Sequence, residues 1–139
     1  MPDHVNVLIA DNDPAMAENI GQTVRSMGHA CTLVTDAEEA LDQARSGAFE
    51  VVITDLHMDD GAGWEVVEAA RRAFPQVQVL ALAQQENIPE AVHAMSRGVS
   101  GYLQKPVNHT ELSVVVDRAA EYISLHRDRQ ALQKEVSDN

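Results

Sequence analysis

Short apolar runs and longer stretches of helical periodicity take turns along this chain. Val5 to Ala10 is a compact run rich in β-branched residues, stopped by Asp11, Asn12 and Asp13, and reads as a buried strand. Asp13 followed by Pro14 is an N-cap with proline at the first helical position, and Ala17, Ile20, Val24 and Met27 then recur at helical spacing up to Gly28. The alternation repeats three times. Ala30 to Val34 precedes a helix opened by Asp36, with Glu39 three residues on; Val51 to Ile53 precedes Gly63 to Phe74; Val77 to Ala83 precedes Asn87 to Arg97. Gly28, Gly47 and Gly98 stand where helices should end. A fifth run, Gly101 to Leu103, leads through Lys105 and Pro106 to a last helix with Asn108 as N-cap and Glu111 at its third position. The pattern predicts five strands alternating with five helices.

Strands alternating with helices of this length argue for right-handed βαβ units, hence an α/β fold with a parallel sheet covered on both faces. The strands are mostly unbroken apolar runs, as a doubly covered sheet requires. Every strand then ends at one edge, and ligands of such folds bind outside that edge. The residues that follow strands include Asp11, Asn12, Asp13, Asp55, His57, Gln84 and Lys105.

Size and charge narrow the function. A chain of 139 residues fits one domain and excludes most two-domain enzymes. With 22 acidic against 10 basic residues, the net charge of −12 would repel a nucleic-acid backbone or an anionic membrane, so no direct nucleic-acid binding is expected. No apolar run approaches the roughly 20 residues of a membrane span. The opening MPDHVNVLIADND lacks the basic and apolar regions of a secretory leader, and one cysteine, Cys31, forms no internal disulfide, so a cytoplasmic location is expected. Cys31 falls in a strand and reads as a small core residue, not a nucleophile. The six histidines show no paired ligand spacing, and Trp64 and Phe74 fit the ends of the third helix.

Asp55 ends the run Val51, Val52, Ile53, Thr54, which brings its carboxylate to the sheet edge near Asp11 and Asp13. Carboxylates that converge repel one another until a proton or a cation joins them. Mg²⁺ prefers oxygen ligands, keeps several waters and takes one or two carboxylates, which suits a sparse open site. Lys105, arriving from the fifth strand, adds a positive point charge able to pair with Asp55 or a phosphoryl oxygen. An aspartate, a cation and a lysine suffice for phosphoryl capture by a carboxylate.

The stretches VLIADNDP, VVITDLHM followed by Gly63, and AVHAMSRGVSGYLQKP resemble the receiver domain of two-component response regulators over about residues 5 to 125. The resemblance implies a flavodoxin-like (βα)5 fold with strand order 2-1-3-4-5, a topology for which that family is a standing example. It also implies Asp55 as phosphoacceptor, Asp11 as an acidic-pocket residue, Lys105 as the phosphate-contacting lysine and the main-chain carbonyl of His57 as a Mg²⁺ ligand. A histidine kinase or phosphotransfer protein would be the phosphoryl donor. The chain would act as a signalling switch, not an enzyme, changing the face formed by helix four, strand five and helix five.

Three positions depart from the family pattern. Asn12 stands where a second acid usually ligates the metal, so either its amide oxygen or an inward-turned Asp13 would have to serve, and the latter competes with capping. Ala83 stands where a Thr or Ser hydroxyl ends the fourth strand. A hydrogen bond to a charged group is worth about 1.5–3 kcal/mol, so its lack would weaken the phosphorylated state by roughly ten- to a hundredfold. Ala83 also leaves room for Tyr102, at the family's aromatic switch position, to rest inward without phosphate. Asp59 replaces a common proline, which should loosen that loop. These departures leave two readings open: a working phosphoacceptor, or a phosphate-independent interaction module with a receiver's fold. A rival of another class also exists, because Asp11, Asn12 and Asp13 are similar to the DxD of haloacid-dehalogenase-type phosphatases, whose first Asp is the nucleophile. Those proteins carry a further acidic pair after the lysine strand, whereas Glu111 and Asp117 here lie in or on the last helix.

The last helix outruns the domain. Leu112, Val115, Val116, Ala119 and Ile123 form its inner face, and helix-compatible sequence continues through HRDRQALQKEV. Tyr122, Leu125, Leu132 and Val136 fit a heptad interrupted by Arg129. We therefore expect a receiver unit over residues 1–125 and a helical extension over 126–139, leading toward an output domain or a homodimer partner.

Overall fold

The parallel sheet runs in the order β2-β1-β3-β4-β5. The computed structural model describes residues 4–84 and 88–138, with side chains to residue 129. Along the chain lie β1 (Asn6–Ala10), α1 (Pro14–Ser26), β2 (Ala30–Val34), α2 (Ala37–Arg45), β3 (Val51–Asp55), α3 (Gly63–Ala73), β4 (Gln78–Ala83), α4 (Ile88–Ser96), β5 (Gly101–Gln104) and α5 (His109–Asp138). The expected alternation and flavodoxin-like order are both present. The predicted start of α4 at Asn87 lies outside the described residues.

The strand pleat sorts side chains into two cores. Val7, Ile9, Val51, Ile53, Leu80, Leu82 and Leu103 face one side, where α1 contributes Ala17, Ile20 and Val24 and α5 contributes Leu112, Val116, Ala119, Ala120 and Ile123. Leu8, Ala10, Val52, Val79 and Ala81 face the other, under α2, α3 and α4. Both faces are thus apolar, which is why the strands read as continuous runs.

The helix ends obey their local chemistry. The Asp13 carboxylate accepts the Ala15 and Met16 amides at 3.0 and 3.4 Å, with Pro14 where a missing N–H costs nothing. Asp36 accepts from Glu39 N at 2.8 Å, and Asn108 from Thr110 and Glu111 N at 2.8 and 3.1 Å. Gly28, Gly47 and Gly98 take φ of 94°, 72° and 92°, the left-handed turn that ends each helix.

α5 continues unbroken past residue 125, where Arg127 donates to the His4 carbonyl and pairs with Glu50. Tyr122 and Leu125 are exposed, while Leu132 and Val136 lie beyond the described side chains. Among the described residues no helix is long and apolar enough to cross a membrane.

Candidate functional site

Strand register alone brings the chemistry together. β1 pairs with β3 up to Ala10 opposite Thr54, so the next residues, Asp11 and Asp55, sit side by side at the carboxyl edge. β4 pairs with β5 up to Ala83 opposite Gln104, which puts Lys105 one residue beyond on the same edge. Asp11 is 1% exposed and Asp55 6%, so both carboxylates are buried at the floor of an open cavity of about 640 Å³. Asn12, Asp13, His57, Gln84 and Lys105 are among its other lining residues, with Met16 and Pro106.

Each carboxylate is aimed by its own loop. Asp11 Oδ1 accepts the Asp13 amide at 2.9 Å and Asp55 Oδ1 accepts the His57 amide at 2.8 Å, which turns both Oδ2 atoms toward one point. Lys105 Nζ occupies that point, 2.6 Å from Asp11 Oδ2 and 2.8 Å from Asp55 Oδ2. Burial pulls the ammonium pKa down, but hydrogen bonds and charge from Asp11 and Asp55 outweigh it, and the net shift is upward. Apart from that ammonium, the buried Asp11 Oδ2 has no partner among the described residues. A pair of converging, buried carboxylates is an oxygen donor set that fits a hard divalent cation such as Mg²⁺.

Gly63 makes this floor possible. A Cβ there would fall 2.1 Å from the Asp55 carbonyl oxygen and 2.7 Å from Leu56 Cα, so the first turn of α3 can lie against the backbone carrying Asp55 only without a side chain.

The other acidic-pocket candidates are differently engaged. The Asp13 carboxylate caps α1. Asn12 donates from Nδ2 to Thr35 O at 2.9 Å and to Asp59 Oδ1 at 3.1 Å, and its Oδ1 accepts the Asp59 amide at 3.0 Å. The expected loosening at Asp59 is not what the structure has. Asp59 Oδ2 also accepts the Ala37 amide at 2.8 Å, so this residue ties the β3–α3 loop to both the β1–α1 loop and the start of α2. Its φ of 45° and that of Asp60, 60°, are left-handed, a region closed to proline and tolerated by aspartate. The proline comparison misled because it weighed only the ring's stiffness and not the amide that a proline would lack.

Ala83 is buried at the end of β4, its carbonyl accepting the Lys105 amide at 2.7 Å. Tyr102 is half-buried against the α4 side, and its hydroxyl donates to Glu90 Oε1 at 2.9 Å. Burial first, then the Glu90 bond and charge, push the phenol up to about 12. The His57 ring sits 3.0 Å from Glu90 Oε2, so Glu90 joins the loop after Asp55 to the aromatic position on β5. Sequence reading missed Glu90, since one acid on a short helix carries no spacing signal. The Asn12 and Asp59 pairing had a weak one: both depart from the family pattern at the same sheet edge. Cys31, read as a small core residue, is only half-buried in β2 and packs against the edge of the core. Among the described residues no group of three His, Cys, Asp or Glu side chains forms a metal cluster.

Comparison with known proteins places this geometry in a family. The chain matches the model of the response regulator receiver domain over residues 7–117. It is 29% identical over 116 residues to the transcriptional regulatory protein GlrR of Escherichia coli (strain K12), covering 84% of this chain and 26% of that protein. A crystal structure of NtrX from Brucella abortus in complex with ADP superimposes with a TM-score of 0.84 at 25% identity, covering 99% of this chain and 31% of that one. The BeF3-activated DrrB receiver domain shares the fold, with a TM-score of 0.77 at 20% identity over 86% of this chain and 99% of that one. The chain spans about a quarter of the length of the curated relatives it matches.

Proposed function

The chain belongs to the receiver-domain family of two-component response regulators, a family of signalling modules, and on that premise we propose that Asp55 is its phosphoacceptor, served by Asp11, Lys105 and Mg²⁺. The observation that carries this reading is the buried Asp11 and Asp55 pair converging on one cation at the floor of an open cavity. Asp11, Asp55 and the His57 carbonyl would hold Mg²⁺, which when bound would neutralise charge on the phosphoryl oxygens. An Asp55 carboxylate oxygen attacks phosphorus on a phosphohistidine of a kinase or phosphotransfer protein. The P–O bond forms as the P–N bond breaks, and the donor's imidazole leaves with the electron pair. Lys105, already 2.8 Å from Asp55 Oδ2, is placed to follow the negative charge outward onto the phosphoryl group.

Intact mass after incubation with acetyl phosphate and Mg²⁺ tests this. The wild type should gain one phosphoryl group and Asp55→Asn none. A gain that persists in Asp55→Asn and vanishes in Asp11→Asn would point instead to the phosphatase-like use of Asp11. The second reading, a module that binds partners without phosphate, is favoured by Ala83, which offers no hydroxyl, and by Asn12, whose amide is taken up by Asp59. It predicts no mass gain in any variant. In either reading an output domain is a partner such a module implies, and the phosphoacceptor reading adds a cognate donor.

A further inference from the structure

Asn12 and Asp59 differ from the family separately in sequence but meet in space as one reciprocal pair. Asn12 Oδ1 takes the Asp59 amide at 3.0 Å, and Asn12 Nδ2 gives to Asp59 Oδ1 at 3.1 Å. The same Nδ2 gives to Thr35 O at 2.9 Å, and the second Asp59 oxygen takes the Ala37 amide at 2.8 Å. The pair therefore staples the β1–α1 loop, which carries Asp11, to the β3–α3 loop, which carries His57, and both to the start of α2. It closes a structure that a left-handed residue at 59 requires, since φ there is 45°.

We propose that Asn12 serves the site as a positioning residue through Asp59 and is not a metal ligand, so that positions 12 and 59 work as a unit. The proposal rests on the Mg²⁺ reading above and sharpens it. Both polar atoms of the Asn12 amide already hold partners, Nδ2 two and Oδ1 one, and on this proposal Asp11, Asp55 and the His57 carbonyl are the protein's share of the metal's shell. An aspartate at position 12, the family's usual residue, would face two acceptors, Thr35 O and the Asp59 carboxylate, with no proton to give either. The exchange Asn12→Asp with Asp59→Asn would restore the reciprocity. The carboxylate introduced by Asn12→Asp could accept both the backbone and the side-chain amide of residue 59, whose own oxygen would remain for Ala37.

Two double-mutant cycles on the full chain test this. In EDTA, Asn12→Asp alone should lower the thermal midpoint by about 3–6 °C, and the same change in an Asp59→Asn background should cost clearly less, since only the bond to Thr35 O is then lost. Equal losses in both backgrounds would overturn the pairing. For Mg²⁺, titrated by calorimetry, half-saturation should rise about three- to fivefold in Asn12→Ala and in Asp59→Ala, and no further in the double variant. A purely structural contact would leave that half-saturation unmoved in all three, which would overturn the positioning role. A loss of about tenfold or more on removing Asn12, whatever stands at 59, would make Asn12 a direct ligand and also overturn it. If no variant, nor the wild type, binds Mg²⁺ while the thermal cycle still shows coupling, the metal reading falls and the pair stands.

Discussion

His29 shows how one buried side chain sets a pH limit on the fold. Its ring is 6% exposed and its Nδ1 accepts the Val5 amide at 3.2 Å, so the neutral form holds the start of β1. Burial first, and the neighbouring His4 next, push its pKa below 6.5, with Asp117 opposing them weakly. The unfolded chain then binds a proton on this group more readily than the folded one does. Stability is full above pH 6.5 and falls as pH drops from there through the lowered folded value. The denaturation midpoint should decline as pH falls below about 6.5, and His29→Gln, which keeps an acceptor, should flatten that decline. An unchanged slope in the variant would show that another group carries it. At this scale the sequence was legible where backbone register alone decides. Asp11, Asp55 and Lys105 follow three neighbouring strands, and no side-chain detail is needed to bring them together. Asp59 was not legible, because its left-handed backbone and its hold on Asn12 and Ala37 depend on loop geometry that no periodicity encodes.

Among the elements, α4 is the least anchored, burying only Ala94 while Ile88, Val92 and Met95 stay exposed. With so little apolar area against the sheet, polar ties weigh more. Glu90 supplies two, to Tyr102 on β5 and to His57 after β3. They are unequal. The His57 ring is mostly exposed, and exposed ion pairs contribute about 0–1 kcal/mol. The Tyr102 bond is half-buried, and its loss would cost about 1 kcal/mol, or about fivefold in a local opening equilibrium. Tyr102→Phe should therefore raise amide exchange across α4 about fivefold, and His57→Ala should change it by less. A larger effect from His57→Ala would reverse the order and make the site loop, not β5, the main anchor of α4. The element pattern itself was readable because aspartate or asparagine caps open α1, α2 and α5 and a glycine follows α1, α2 and α4, whereas α3 has neither mark and was read from its periodicity. What could not be read is which polar residue on α4 bridges strands far apart in sequence.

For the whole molecule, the carboxyl edge gathers charge that the fold must neutralise. A chain of net charge −12 buries two aspartates side by side at the centre of its sheet and answers them with one ammonium. The raised Lys105 pKa means this contribution is complete below 10.5 and is lost only as pH climbs through the higher folded value. At neutral pH the lysine is therefore always present between Asp11 and Asp55, at the point a divalent cation would approach. Its removal leaves two buried, uncompensated carboxylates, a change that costs about 3–5 kcal/mol when one partner of a buried pair is deleted. The same removal takes away the positive charge that opposes metal entry. Lys105→Met should accordingly melt well below the wild type in EDTA, yet gain more from Mg²⁺ than the wild type does. A ligand that binds only the folded state stabilises it by RT ln(1 + [L]/Kd), so a tighter site gains more at the same concentration. Thermal scans of both proteins across a Mg²⁺ series would read the rise of each midpoint over its own value in EDTA. An equal rise in both proteins at every Mg²⁺ concentration would mean that the metal and the ammonium do not share the two carboxylates, and the Mg²⁺ site would then have to be sought elsewhere along the edge.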